Sequence, residues 1–372
     1  MKIGGFGHVR GAAIGGGKPV VIQTMWKDRL TFLDLEGGAG KKNLRRIEEL
    51  SEMGCGLLRF ALPDIDSAEV LGALAASTAM PLVADIHFDY KIALKILEYP
   101  IAKIRINPGN IGGKDKVEQV LCKAKDNGVP IRIGVNGGSL PVDLRREIEN
   151  GELSRVDALV RAAMRELEIF DEYGFKDVVV SIKSSDVGET IRAARLFRSV
   201  SALPLHIGVT EAGPLVAGVV RNTAALFGLL CDGIGDTIRV SLSDTMENEV
   251  IAAREILLAV NESKMNFYTQ NDGAGIRGVK IVSCPRCGRA AFDTHSFTKR
   301  WQPYFYKMKK NITIAVMGCA VNGPEEARHA DIGITGLGEN VKIFRKGEVI
   351  RSINVINAQD ADTAFKEELD KL

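Results

Sequence analysis

The chain has 372 residues, of which 45% are apolar and 26% charged, and its formal net charge is +2. This length exceeds one ordinary domain and suits a barrel of about 250 residues followed by a smaller module. The composition excludes a polyelectrolyte tail, no apolar run reaches the roughly 18 residues that cross a bilayer, and no lysine or arginine block marks a nucleic-acid footprint. Residues 1–19 are glycine-rich and lack the apolar stretch of a secretory signal, so a cytoplasmic location is expected.

Short β-branched runs then recur at Pro19–Met25, Gly56–Pro63, Pro81–Phe88, Ala102–Gly109, Pro130–Asn136, Asp177–Lys183, Pro204–Thr210 and Gly235–Leu242. Between them lie segments of helical period, such as Asn43–Met53, Tyr90–Leu97, Val156–Tyr173, Val187–Ser199, Val216–Leu230 and Glu247–Val260. Eight apolar strands, each leading to a helix, predict an eight-stranded β/α (TIM) barrel over residues 1–260. An open doubly wound sheet is the alternative, but no strand leads into a Gly-x-Gly-x-x-Gly turn. Residues 261–278 turn polar and glycine-rich and read as a linker. After it, strands are expected at Val279–Ser283, Ile312–Met317, Ala330–Thr335, Val341–Phe344 and Glu348–Asn354, with a charged helix from Asp360 to Leu372. Residues 279–372 therefore form a small α+β domain.

Catalytic groups of such barrels come from the carboxyl ends of the strands. Those ends carry Arg59, Asp85 with His87, Arg105 with Asn107, Arg132 with Asn136, Lys183 with Ser184, Thr210 with Glu211, and Arg239 with Ser241. An arginine inside a parallel barrel is costly unless it is paired or faces a polar mouth. Asp85, Glu211 and Asp236 are too few to neutralise Arg59, Arg105, Arg132, Lys183 and Arg239, so a phosphate or diphosphate site is favoured over purely internal pairing. Asp85 and Glu211 are the carboxylates left for proton chemistry. His87 and His206 are read as structural.

Six cysteines in a reducing compartment suggest free thiols or metal ligands. Cys55, Cys122 and Cys231 lie singly in apolar patterns and read as small packed side chains. Cys284-Pro285-Arg286-Cys287 and Cys319, thirty-two positions on, form a different group, with Glu326 seven residues beyond Cys319. Three readings compete. A zinc site needs a fourth ligand from His295, His329 or a carboxylate. A thioredoxin-like pair should open a helix, whereas Arg289 to Asp293 follow here. A cubane on three thiolates and one oxygen ligand would leave one iron open to substrate.

Together, Val83-Ala84-Asp85-Ile86-His87-Phe88-Asp89-Tyr90, Arg105-Ile106-Asn107-Pro108-Gly109, Arg132-Ile133-Gly134-Val135-Asn136, Gly208-Val209-Thr210-Glu211-Ala212-Gly213 and Gly235-Asp236-Thr237-Ile238-Arg239-Val240-Ser241 resemble the 4-hydroxy-3-methylbut-2-en-1-yl diphosphate synthase family. So do Cys284-Pro285-Arg286-Cys287-Gly288-Arg289 and Met317-Gly318-Cys319-Ala320-Val321-Asn322-Gly323-Pro324. The resemblance implies reductive ring opening of 2-C-methyl-D-erythritol 2,4-cyclodiphosphate with loss of one water. It implies that Arg59, Arg105, Arg132, Lys183, Arg239 and Ser241 hold the diphosphate, that Asn136 and Thr210 line the site, and that Asp85 and Glu211 lie near the reacting carbons. It also implies a [4Fe-4S] cluster on Cys284, Cys287, Cys319 and Glu326, electrons from reduced ferredoxin or flavodoxin, and a homodimer. Glu211 is the expected proton donor, as a buried acid among arginines whose charge the substrate must first neutralise. Two stretches depart from the family pattern. Gln23-Thr24-Met25-Trp26-Lys27-Asp28, followed by Leu33-Asp34-Leu35-Glu36-Gly37-Gly38, stands where the family usually has Gln-Ser-Met-Thr-Asn-Thr, and Glu325 replaces the common glycine before the ligand glutamate. A barrel acting on another phosphorylated polyol, or one whose second domain holds structural zinc, is the competing reading.

Overall fold

The computed structural model describes residues 1–5, 7–265, 278–319, 327–337, 340–354 and 358–372. Its contacts divide the chain into two units, Met1–Ile276 and Arg277–Leu372. The first opens with an antiparallel hairpin, β1 (Lys2–Gly4) and β2 (Gly11–Ala13). The barrel strands are β3 (Val21–Met25), β4 (Leu57–Ala61), β5 (Leu82–Asp85), β6 (Lys103–Ile106), β7 (Ile131–Asn136), β8 (Val178–Lys183), β9 (His206–Ile207) and β10 (Thr237–Ile238). They pair in parallel in the order β8-β7-β6-β5-β4-β3-β10-β9, and a bridge between Val180 and Leu205 closes the ring. All eight expected strands are found. The last two are shorter than their apolar runs because Pro204 lacks a backbone donor and a Cβ on Gly208 would stand 2.3 Å from the Arg239 carbonyl oxygen, a close approach only glycine permits.

The hairpin, which the sequence patterns did not reveal, packs Ile3, Val9 and Ile14 against Leu57, Val83, Ala102 and Val179. This apolar stopper closes the amino-terminal end of the barrel, where Leu57 and Ala102 lie near the starts of β4 and β6. Higher up, the interior turns polar. Lys103 donates to Gln23 Oε1 at 3.4 Å although β6 and β3 are not neighbours in the sheet, so the contact crosses the lumen. Helices cover the outside, among them Arg155–Glu172, Val187–Val200, Leu215–Cys231 and Met246–Met265. The last overruns the expected start of the linker at Asn261, and residues 266–277 lie outside the described set.

The second unit is a five-stranded mixed sheet in the order β11 (Val279–Ser283), β12 (Ile312–Met317), β13 (Ile332–Leu337), β14 (Asn340–Arg345) and β15 (Glu348–Asn354). Strand β13 starts two residues later than expected, because the Asp331 carboxylate accepts the Thr313 N–H at 2.8 Å and ends the preceding turn there. Helices Thr294–Lys307 and Ala358–Leu369 supply Phe297, Trp301, Phe305 and Phe365 to a core with Ile314, Val316, Ile332 and Ile343.

Candidate active site

The five expected cations converge. Arg59, Arg105, Arg132, Lys183 and Arg239 stand on β4, β6, β7, β8 and at the end of β10, and Lys183 feels the charge of the other four. Burial and this crowding bring the Arg59 guanidinium down to about 10 and push Arg132 and Lys183 well below their ordinary values. Arg132 is 2% exposed, and its Nε and Nη1 have no hydrogen-bond partner among the described residues. Arg105 reaches Asp85 at 3.2 Å and the Gly134 carbonyl at 3.1 Å. A Cβ at Gly134 would stand 2.6 Å from Arg105 Nε, so glycine there is what lets the guanidinium lie across β7.

Asp85 is buried between Arg59 at 3.5 Å and Arg105 at 3.2 Å, with His87 Nδ1 at 3.9 Å. Burial pushes its carboxyl up, but the two guanidiniums outweigh that and hold it below the usual carboxylate range. This environment suits a carboxylate that aims two arginines better than the proton-bearing group expected from sequence. Asp236 does not serve the mouth at all: it accepts from Arg198 at 3.3 Å and from the Leu205 N–H at 2.8 Å, before the start of β10.

The second neutralising carboxylate is Glu249, which sequence reasoning missed. It is 1% exposed and accepts from Thr24 Oγ1 at 2.6 Å, Lys27 Nζ at 2.5 Å, both Nε and Nη2 of Arg239 at 3.3 and 3.2 Å, and the Leu242 N–H at 3.0 Å. Burial raises its pKa, and Arg239 with the remaining donors more than reverses that. A signal existed: Met246, Glu249, Val250 and Ala253 share one buried helical stripe, where a lone acid needs a partner. Breaking a buried ion pair from one side is strongly destabilising, so Glu249→Gln is expected to cost about 3 kcal/mol in urea unfolding. The same cluster absorbs the unusual first loop. Thr24 and Lys27 bind Glu249, while Trp26 stacks on Phe60 at 5.3 Å with the Arg46 guanidinium over its ring. Beyond it, Phe32–Leu35 forms a turn capped by Thr31 and Asp34.

Ser241 follows β10 beside Arg239, Asn136 pairs in register with Lys183, and Thr210 donates its N–H to the Ser184 carbonyl at 3.1 Å. Glu211 departs from expectation: it is exposed, not buried among arginines. Its φ of 52° is left-handed, a costly conformation for a glutamate, and the surrounding loop is fixed by Val209 N–H to Asn222, Arg221 to the Ala212 carbonyl and Ser243 N–H to the Gly213 carbonyl.

In the second unit, Cys284 follows β11 and Cys319 lies two residues beyond β12, its parallel neighbour. A Cβ on Gly318 would touch Cys284 Sγ at 3.4 Å, so that sulfur rests against the backbone that leads into Cys319. The Arg286 N–H points at Cys284 Sγ, 3.4 Å away, from a residue with φ of 72°. A backbone donor aimed at sulfur is compatible with a metal-bound thiolate, so this donor chemistry fits an iron–sulfur group. The following helix opens only at Thr294, which removes the thioredoxin-like geometry. Among the described residues no three His, Cys, Asp or Glu side chains close on one metal position, and Glu325 and Glu326 lie outside those residues.

Family profiles described as the GcpE TIM-barrel domain and the GcpE protein C-terminal domain match residues 7–254 and 280–371. A protein of Treponema denticola named 4-hydroxy-3-methylbut-2-en-1-yl diphosphate synthase (flavodoxin) is 48% identical over 100% of this chain and 98% of its own length. Its namesake in Treponema pallidum is 49% identical over 100% of this chain and 91% of its own length. Among solved structures, Yersinia pestis dihydropteroate synthase aligns with a TM-score of 0.46 and 12% identity over 72% of this chain and 100% of that one, too distant to carry chemistry. With both profiles matched in order and this identity sustained from end to end, the chain belongs to the GcpE family.

Proposed function

We propose that the protein is a 4-hydroxy-3-methylbut-2-en-1-yl diphosphate synthase, an oxidoreductase that opens 2-C-methyl-D-erythritol 2,4-cyclodiphosphate and removes one oxygen as water. The observation that carries this reading is the cation surplus at one barrel mouth: Arg59, Arg105, Arg132, Lys183 and Arg239 against the two buried carboxylates Asp85 and Glu249. A diphosphate supplies the missing negative charge, and the planar guanidiniums match its oxygens. Ser241 completes the diphosphate site, Asn136 and Thr210 line it, Asp85 keeps Arg59 and Arg105 aimed, and Glu211 delivers the proton that the departing oxygen needs.

Cys284, Cys287, Cys319 and Glu326 would hold a [4Fe-4S] cluster, with Glu326 the ligand a substrate oxygen can displace. When bound, that group supplies electrons singly and acts as a Lewis acid. The flavodoxin in the relatives' names supports reduced flavodoxin as donor, with ferredoxin the chemical equivalent. The protein acts, on this reading, as a homodimer in the cytoplasm; no helix among the described residues is long and apolar enough to cross a membrane.

The test is to purify the full chain without oxygen and supply cyclic diphosphate with dithionite and a viologen. Formation of the linear diphosphate supports the reading, and cluster-bearing protein that leaves the substrate intact overturns it in favour of another phosphorylated polyol. Glu211→Gln is expected to lower kcat about 100-fold with a much smaller change in KM, the usual scale for losing a positioned acid. An unchanged turnover rate removes Glu211 from the chemistry.

A further inference from the structure

Beneath the mouth lies a layer that the proposed reaction does not use. Lys103 is fully buried, and among the described residues its Nζ finds only Gln23 Oε1 at 3.4 Å. Arg132 on β7 and Arg59 on β4 bear on it electrostatically, and it in turn is felt by His206 on β9, which also senses Lys183 on β8. The Asp85 carboxylate on β5 is committed to Arg59 and Arg105, and Glu249 to Lys27 and Arg239. Unpartnered donors collect here: Gln23 Nε2 and Arg132 Nε and Nη1 lack partners among the described residues, as does His206 Nε2, whose role depends on the tautomer. TIM-barrel interiors are ordinarily filled by branched apolar side chains, and an ammonium placed among cations without a counter-ion is the costliest group such a space can hold.

We propose that binding of a polyanion at the barrel mouth draws a proton into the barrel, onto the fully buried amine of Lys103, whose one hydrogen-bond partner among the described residues is Gln23 Oε1. The inference rests on the reading of the mouth as a diphosphate site. Burial first, then Arg132 and Arg59, push Lys103 well below the ordinary lysine range. Phosphate oxygens on Arg59 and Arg132 offset the charges that repel a proton there, and the repulsion at Lys103 weakens. The bound complex then takes up protons at pH values between the free and bound pKa of this amine, so ligand affinity is greatest at lower pH and falls as pH rises through that window. Lys103 thus acts as a positioning residue that lends charge to the diphosphate without touching it.

The cyclic diphosphate suits the test because its phosphates carry no group titrating near neutrality. It is titrated calorimetrically into the full-length, cluster-loaded protein without reductant, in two buffers of different ionisation enthalpy, between pH 7 and 9. Wild type is expected to absorb up to about one proton per ligand, with log Kd rising by up to about one per pH unit. Lys103→Met should bind several-fold more weakly, lose most of the uptake and flatten the slope; Lys103→Gln, which retains a polar partner for Gln23, should do the same if the apolar variant is unstable. Binding without buffer dependence, or uptake undiminished in both variants, overturns the proposal while leaving the diphosphate site intact. No binding by wild type overturns both.

Discussion

Cys284→Ala protein purified without oxygen is expected to carry less than a quarter of the wild-type iron and sulfide and to form no linear diphosphate, while its far-ultraviolet circular dichroism is unchanged. Three thiolates are the fewest that hold a cubane with one exchangeable iron, and removing one leaves a pair plus a weak carboxylate. The fold of the second unit does not depend on that sulfur, because Phe297, Trp301, Phe305 and Phe365 make a core of their own with the sheet. Iron retained at the wild-type level in Cys284→Ala would remove this cysteine from the cluster.

Arg132→Met should separate stability from function. This guanidinium is buried with two nitrogens unpaired among the described residues, and the charges of Arg59, Arg105 and Arg239 bear on it more than the single carboxylate Asp85 offsets. An apolar side chain of similar length relieves desolvation and repulsion together, and replacements of poorly compensated buried charges have stabilised other proteins by about 1–4 kcal/mol. Thermal unfolding is therefore expected to move upward. Affinity for the cyclic diphosphate should fall about 100-fold, since loss of one partner in a buried charge-assisted pair costs about 2–5 kcal/mol. A drop in Tm together with unchanged affinity would mean that Arg132 is a structural cation instead.

The barrel was legible because parallel strands buried on both faces must be continuous apolar runs, and eight such runs were countable. The helix Thr294–Lys307 was not, since Pro303 interrupts a stripe whose buried members, Phe297, Trp301 and Phe305, are otherwise spaced four apart. The amino-terminal hairpin was hidden by its brevity: two three-residue strands give no period to read. At the mouth, the cations could be listed from strand ends, but their counter-charges could not. Asp236 stands before its strand begins and serves Arg198, whereas Glu249 reaches the mouth from a helix that follows the last strand. Lys103 escaped notice because it lies one strand alternation deeper than Arg105, and depth along a barrel axis is set by strand stagger, which sequence does not display. For the cysteines, spacing alone could not choose among zinc, iron and a redox pair; the late start of the next helix removes the redox pair, and the donor N–H at Arg286 fits a metal-bound thiolate.

The chain has two tryptophans, and each unit holds one. Trp26 is 6% exposed, stacked on Phe60 and hydrogen-bonded through its backbone N–H to the Arg59 carbonyl; Trp301 is 8% exposed among Phe297, Phe305 and Phe365. Intrinsic fluorescence therefore comes with a built-in division. Emission from a Trp301→Phe protein reports on the mouth-side loop alone, and emission from Trp26→Phe reports on the second unit alone, so occupancy of the one and melting of the other can be followed in two matched samples without any attached dye.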